Sequence, residues 1–191
     1  MKKLLLLSVI LVFLLSGCAS ADISGPTPEP EPIETTPELT PEPELDISEY
    51  KAMAAQLSEH IMEISIIVSN MGKYMFNYWD ALESVGGTVN YENMTEYAFE
   101  WLEENADMSK DDVLAEHADI KSQYSDFVDV NISGMLAEDI YANMSDLYST
   151  SDALYRLVTE PSGSVDDFLL AFNLHSNSIV NTHDLLTALV S

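Results

Sequence analysis

The chain has 191 residues, with 33 Asp and Glu set against 7 Lys and Arg for a net charge of −26. A field of that sign repels nucleic acid and anionic headgroups and favours cations, basic partners and solubility, so nucleic-acid binding is excluded. The one cysteine, Cys18, lies near the N-terminus, which removes disulfides, cysteine-zinc clusters and a cysteine nucleophile from any folded part.

In chain order, Met1 to Gly17 opens with Lys2 and Lys3, continues in a mainly apolar run from Leu4 to Leu15 and ends in small residues. A bilayer span needs about 20 apolar residues, so the segment reads as a secretion signal, residues 1–17, and not as an anchor helix. Its end, Leu15-Ser16-Gly17-Cys18, resembles the lipobox of bacterial lipoproteins. The resemblance implies cleavage before Cys18 by signal peptidase II and a diacylglyceryl group on the Cys18 sulfur. The mature protein is then expected on the extracytoplasmic face of the cell membrane, where two acyl chains hold stably. Loss of Lys2 and Lys3 takes the net charge from −26 to −28.

Residues 18–45 hold the run PTPEPEPIETTPELTPEPE. Proline fixes φ and lacks an amide hydrogen while the glutamates repel one another, so a disordered, extended and solvated Pro/Glu stalk is expected. In the polyproline form it reaches up to roughly 80 Å. No basic residue flanks the prolines, which argues against a ligand for a proline-recognition domain.

Residues 46–191 carry the domain. Ile47, Tyr50, Ala54, Leu57, Ile61, Ile64, Val68, Met71, Met75, Tyr78, Leu82 and Val85 recur by threes and fours, the seam of one long helix. Met53, His60, Ile67, Tyr74 and Ala81 broaden its face toward a bundle core. Asp46 or Ser48 supplies the N-cap and Gly86-Gly87 the left-handed stop. A shorter helix is expected over 91–105 and another from a cap at Ser109, with a break at Asp129 to Gly134. A third arm spans 132–160 with Ala137, Ile140, Met144, Leu147, Ser151, Leu154 and Val158 inside. Ser164 opens the last helix, to about residue 190. The fold class is therefore all-α: an up-down-up-down four-helix bundle with one broken helix, preceded by the Pro/Glu linker.

The stretches SNMGKYMFNYWDAL in the first helix and PSGSVDDFLLAFNLHSN at the start of the last resemble uncharacterised four-helix-bundle proteins of Gram-positive bacteria. This resemblance spans about residues 50 to 190 and implies the fold, with no activity attached. The chain departs from it at Asp129 to Gly134, where prolines are expected in the turn.

Chemistry is sparse. His60, His117, His175 and His183 do not pair at helical metal spacing, and they read as polar residues at the core boundary. Acids crowd the broken arm, with Asp107, Asp111, Asp112 and Glu116 as candidate cation ligands. As an EF-hand the stretch fails: counting from Asp107, Asp112 stands where Gly belongs and Ala118 where the bidentate Glu belongs. Tyr141, Tyr148 and Tyr155 recur every seven residues, either as an exposed partner-binding ridge or, preferred here, with rings packed on a neighbouring helix. No nucleophile elbow, zinc-protease, phosphate-loop or dinucleotide motif is present. The expected function is a non-catalytic, membrane-anchored bundle without cofactor, acting in surface interaction or spacing toward a cell-surface protein or wall polymer. The alternative is a lipoprotein that binds a cation or small ligand through the acidic arm.

Overall fold

The computed structural model describes residues 45–191, so the expected signal peptide, the expected lipidation of Cys18 and the expected stalk before residue 45 lie outside the described residues. The chain forms α1 (Ile47–Ser84), α2 (Tyr91–Ala106), α3 (Lys110–Val128), α4 (Met135–Thr159) and α5 (Val165–Val190), with no strand among the described residues. Nor is any of these helices long and apolar enough to cross a membrane.

Local chemistry sets most of the helix ends. The Asp46 side chain accepts from Ser48 N–H at the start of α1. At its end Gly86 takes φ 71°. There Gly86 N–H donates to Glu83 O at 3.0 Å and Gly87 N–H to Leu82 O at 2.9 Å, the paired bonds of a Schellman motif. Asp107 closes α2 in the left-handed region at φ 52°. Ser109 with Asp112, and Ser164 with Asp167, form reciprocal capping boxes on α3 and α5. α4 begins later than the 132 expected from sequence, at Met135, after Gly134 at φ 115°. Val130 and Ile132 turn inward onto the core before the helix starts, and Leu45 N–H donates to Asn131 O across the same end.

Cross-helix pairs fix the direction of each arm. Tyr50 stacks on Phe127, and Trp79 meets Tyr91 edge-on, so the α2–α3 arm runs antiparallel to α1. Ser65 hydrogen-bonds Ser151 at 2.9 Å and Gly72 lies against Val158, so α4 runs parallel to α1. Trp79 packs on Phe168, and Lys51 Nζ donates to the Ser191 carbonyl at 2.8 Å, so α5 runs antiparallel. The result is the expected up-down-up-down bundle, its second arm broken between Ala106 and Lys110. Burial pushes the Tyr50 hydroxyl up to about 12.

α1 touches every other arm, with one flank half-buried and the opposite flank buried beside its seam. The row Met53, His60, Ile67 and Tyr74 faces the broken arm: His60 meets Glu116, and Tyr74 stacks on Trp101. The opposite row, Ser58, Ser65, Gly72 and Trp79, is buried, with Ser65 and Gly72 against α4 and α5 and Trp79 between α2 and α5. Toward its C-terminal end the three-four seam leaves the core, with Trp79 2 % exposed and Val85 79 %. A strict heptad pattern drifts by about 20° per repeat on a straight helix. After four repeats Trp79, not Tyr78 or Val85, points inward.

Candidate functional site

The side chains with chemistry gather where α1 and α4 flank α3. Glu116, Asp119 and Gln123 follow at three- and four-residue spacing and share one face of α3. That face turns to His60 of α1. His60 Nε2 lies 2.8 Å from Glu116 Oε2. Gln123 Nε2 lies 3.1 Å from His60 Nδ1 and 2.7 Å from Asp119 Oδ2. The amide holds two protons and so donates to both, which leaves His60 Nδ1 as acceptor and places the ring proton on Nε2, donated to Glu116. Among the described residues, His60, Glu116 and Asp119 are the group that brings three ligand atoms to within 4.8 Å of one another.

On the neighbouring face of α3, one residue after Glu116, His117 faces α4. Its Nε2 is 3.1 Å from Asp152 Oδ1, and its ring stacks on Tyr155 at 3.7 Å between centroids. Arg156 Nε holds the other Asp152 oxygen at 2.9 Å. Burial of the ring lowers the His117 pKa from its ordinary value, against the opposing pull of Asp152. Sign follows directly: a depressed imidazole disfavours the folded state below the unfolded value near 6.5 and carries no cost above it.

The remaining acidic candidates lie apart from this group. Asp107 is the C-cap of α2, and Asp112 accepts from Ser109 N–H at 2.8 Å and from Ser109 Oγ at 2.6 Å. These bonds hold the Asp112 carboxyl below the usual range. Asp111 is exposed in the first turn of α3. Of the four, only Glu116 joins a set of convergent ligands.

The three tyrosines part ways. Tyr148 stacks on Tyr124 at 4.0 Å, and Tyr155 on His117, so both lay their rings against α3. Burial raises both hydroxyls. Tyr141 is 46 % exposed. The stripe therefore packs chiefly as helix-to-helix contact, with only its first member turned to water. His183 is a different kind of boundary residue: its Nε2 is buried without a hydrogen-bond partner, 3.7 Å from Glu59 Oε1.

A second surface escaped sequence reasoning. On α5, Leu170, Leu174 and Leu185 are 72, 65 and 60 % exposed and share the outward face, while Val180 and Ile66 of α1 line a cleft along one edge. From Phe168 to His183 the helix has no Asp, Glu, Lys or Arg, and α1 has none from Ile64 to Gly72. The signal was present as an uncharged run in a strongly acidic chain. It was hidden because the same run also contains the core positions Phe168, Phe172 and Ile179. Glu59, Glu63, Asp166, Asp167 and Asp184 flank these uncharged stretches in the sequence, and Lys73 lines the cleft that Ile66 and Val180 share.

No protein-family model matches the chain, and neither does any curated protein or solved structure.

Proposed function

We propose that this is a lipid-anchored extracytoplasmic protein whose bundle acts by contact with a partner and not by catalysis, held away from the membrane by the Pro/Glu stretch. The anchor rests on the Leu15-Ser16-Gly17-Cys18 run and the stalk on the composition that follows it. The contact rests on one observation, the exposed uncharged face of α5 and its edge with α1. Apolar patches of this kind on an otherwise charged surface mark interaction sites. Its mainly acidic border, five carboxylates against Lys73, selects the occupant: a cell-surface protein with an apolar centre and a mainly basic rim. A second copy would bring like-charged rims together.

A photo-crosslinking residue at position 174 of the full chain, expressed in its own cells, tests this. The expected result is a discrete adduct with a different protein, weakened by added salt and lost in Leu170→Glu/Leu185→Glu. An equal yield from position 115 on α3, an adduct of two copies, or no adduct would overturn the reading. Cys18→Ala is expected to release the protein from the membrane fraction. Removing residues 22 to 44 is expected to abolish the adduct while leaving anchoring intact.

A further inference from the structure

Beyond the α5 face, and independent of it, we propose that His60, Glu116 and Asp119 form a binding site for a divalent transition metal of the zinc class. Acids are common on this surface, but here two carboxylates converge with an imidazole from a different helix, with the ligand atoms within 4.8 Å of one another. Metal–ligand distances of about 2.0 to 2.2 Å put ligand atoms roughly 3 to 3.5 Å apart. Closing the remaining gap takes shifts on the order of 1 Å, and the two carboxylates can make them. Glu116 is 42 % exposed and Asp119 lies in solvent, whereas the His60 side chain is 20 % exposed and stays fixed.

Gln123 supplies what a histidine ligand needs behind it. Its amide donates to His60 Nδ1 and to Asp119. When the metal takes Nε2, the ring proton moves to Nδ1, and rotation of the Gln123 amide presents its carbonyl oxygen to accept it. No proton has to leave a neutral imidazole, and the ring orientation is kept. Asp119, released by the same rotation, becomes free to ligate. One nitrogen and two oxygens suit zinc, cobalt or nickel, whereas calcium and magnesium prefer oxygen-only sets. Water completes the coordination on the solvent side, so the site is open and exchangeable. The net charge of −26 concentrates cations around it.

Isothermal titration of chelator-treated full chain with zinc chloride and cobalt chloride tests the assignment, repeated in Cys18→Ser so that no thiol contributes. One saturable equivalent is expected, with at least tenfold weaker binding in His60→Ala, Glu116→Gln and Asp119→Asn. Gln123→Leu is expected to weaken binding about tenfold by loss of ring support. Asp111→Asn, an exposed acid of the same helix outside the group, should leave affinity unchanged. Glu116→Gln and Gln123→Leu change half-buried side chains outside the core, so they keep the test decisive if His60→Ala unfolds. Nitrogen-15 spectra of the His60 ring should switch from the Nε2–H to the Nδ1–H form on zinc addition. Calcium binding as tight as zinc, zinc affinity unchanged in the three ligand variants, or no saturable binding would overturn the site.

Discussion

Gly72 shows how one missing side chain sets the packing of three helices. A Cβ there would collide with the Phe172 ring, lying 2.9 Å from its Cδ2 and 3.1 Å from Val158 Cγ2. Both neighbours are buried, Phe172 4 % and Val158 0 % exposed. Gly→Ala in a helix interior gains about 1 kcal/mol of intrinsic propensity, while overpacking a closed core costs about 1 to 3 kcal/mol. Overpacking should win. Gly72→Ala is expected to lower stability by about 1 kcal/mol, or roughly 3 °C in Tm for a chain of this size. In a double-mutant cycle, Phe172→Leu should remove most of that penalty. A higher Tm in Gly72→Ala would show that the approach of α5 tolerates the methyl group. From sequence, Gly72 reads as a cost of about 1 kcal/mol that permits either a close helix approach or a slight kink; the Phe172 ring against it selects the close approach.

At the scale of the element, the helices are held in register by their ends. α5 depends on a capping box in which Ser164 Oγ accepts from Asp167 N–H at 3.2 Å and donates to Asp167 Oδ2 at 2.7 Å. Loss of such a serine costs about 1 kcal/mol, so Ser164→Ala should destabilise by that amount in urea unfolding. The donations to Asp167 Oδ2 from Ser164 Oγ and from Ser164 N–H hold the Asp167 carboxyl below its ordinary value. A carboxylate with a depressed folded pKa adds stability that is present above the unfolded value near 3.9 and lost as pH falls through the folded one. Asp167→Asn should therefore flatten the acid limb of the stability profile below about pH 4 and change it little near neutrality. An acid limb identical to the parent's would remove Asp167 from the account. This cap is legible in the sequence because Ser-x-x-Asp is a local pattern. The start of α4 is not legible, because Gly134 carries no side-chain cap and the entry is set by Val130 and Ile132 turning onto the core.

For the whole molecule, charge is the dominant long-range term. The chain carries a net charge of −26, and the like charges on its helical domain repel one another. Raising sodium chloride from about 10 mM to about 150 mM shortens the Debye length from about 30 Å to about 8 Å. The Tm of the full chain should rise monotonically over that range, equally with potassium chloride. This gain is non-saturable and indifferent to ion identity, which separates it from binding at His60, Glu116 and Asp119. A Tm that falls with salt would mean that favourable ion pairs outweigh the repulsion. The same charge gives the uncharged α5 face its meaning, since few surfaces of this protein can approach another chain without electrostatic cost.

Periodicity, caps and breakers in the sequence determined the helical class, the order of the arms, the break after α2 and the ends of α1 and α5, because each depends on residues within a few positions of one another. What only the tertiary structure decided depends on distant residues meeting. It chose Trp79 over Tyr78 as the inward residue, because the pattern drifts along a long helix. It gave α1 a second buried flank at Ser58, Ser65 and Gly72, where small side chains let α4 and α5 come close. It joined His60 to Glu116 across 56 positions. It also divided α5 into a buried side and an exposed one, both apolar, which hydropathy alone does not separate because a leucine facing the core and a leucine facing water are the same letter.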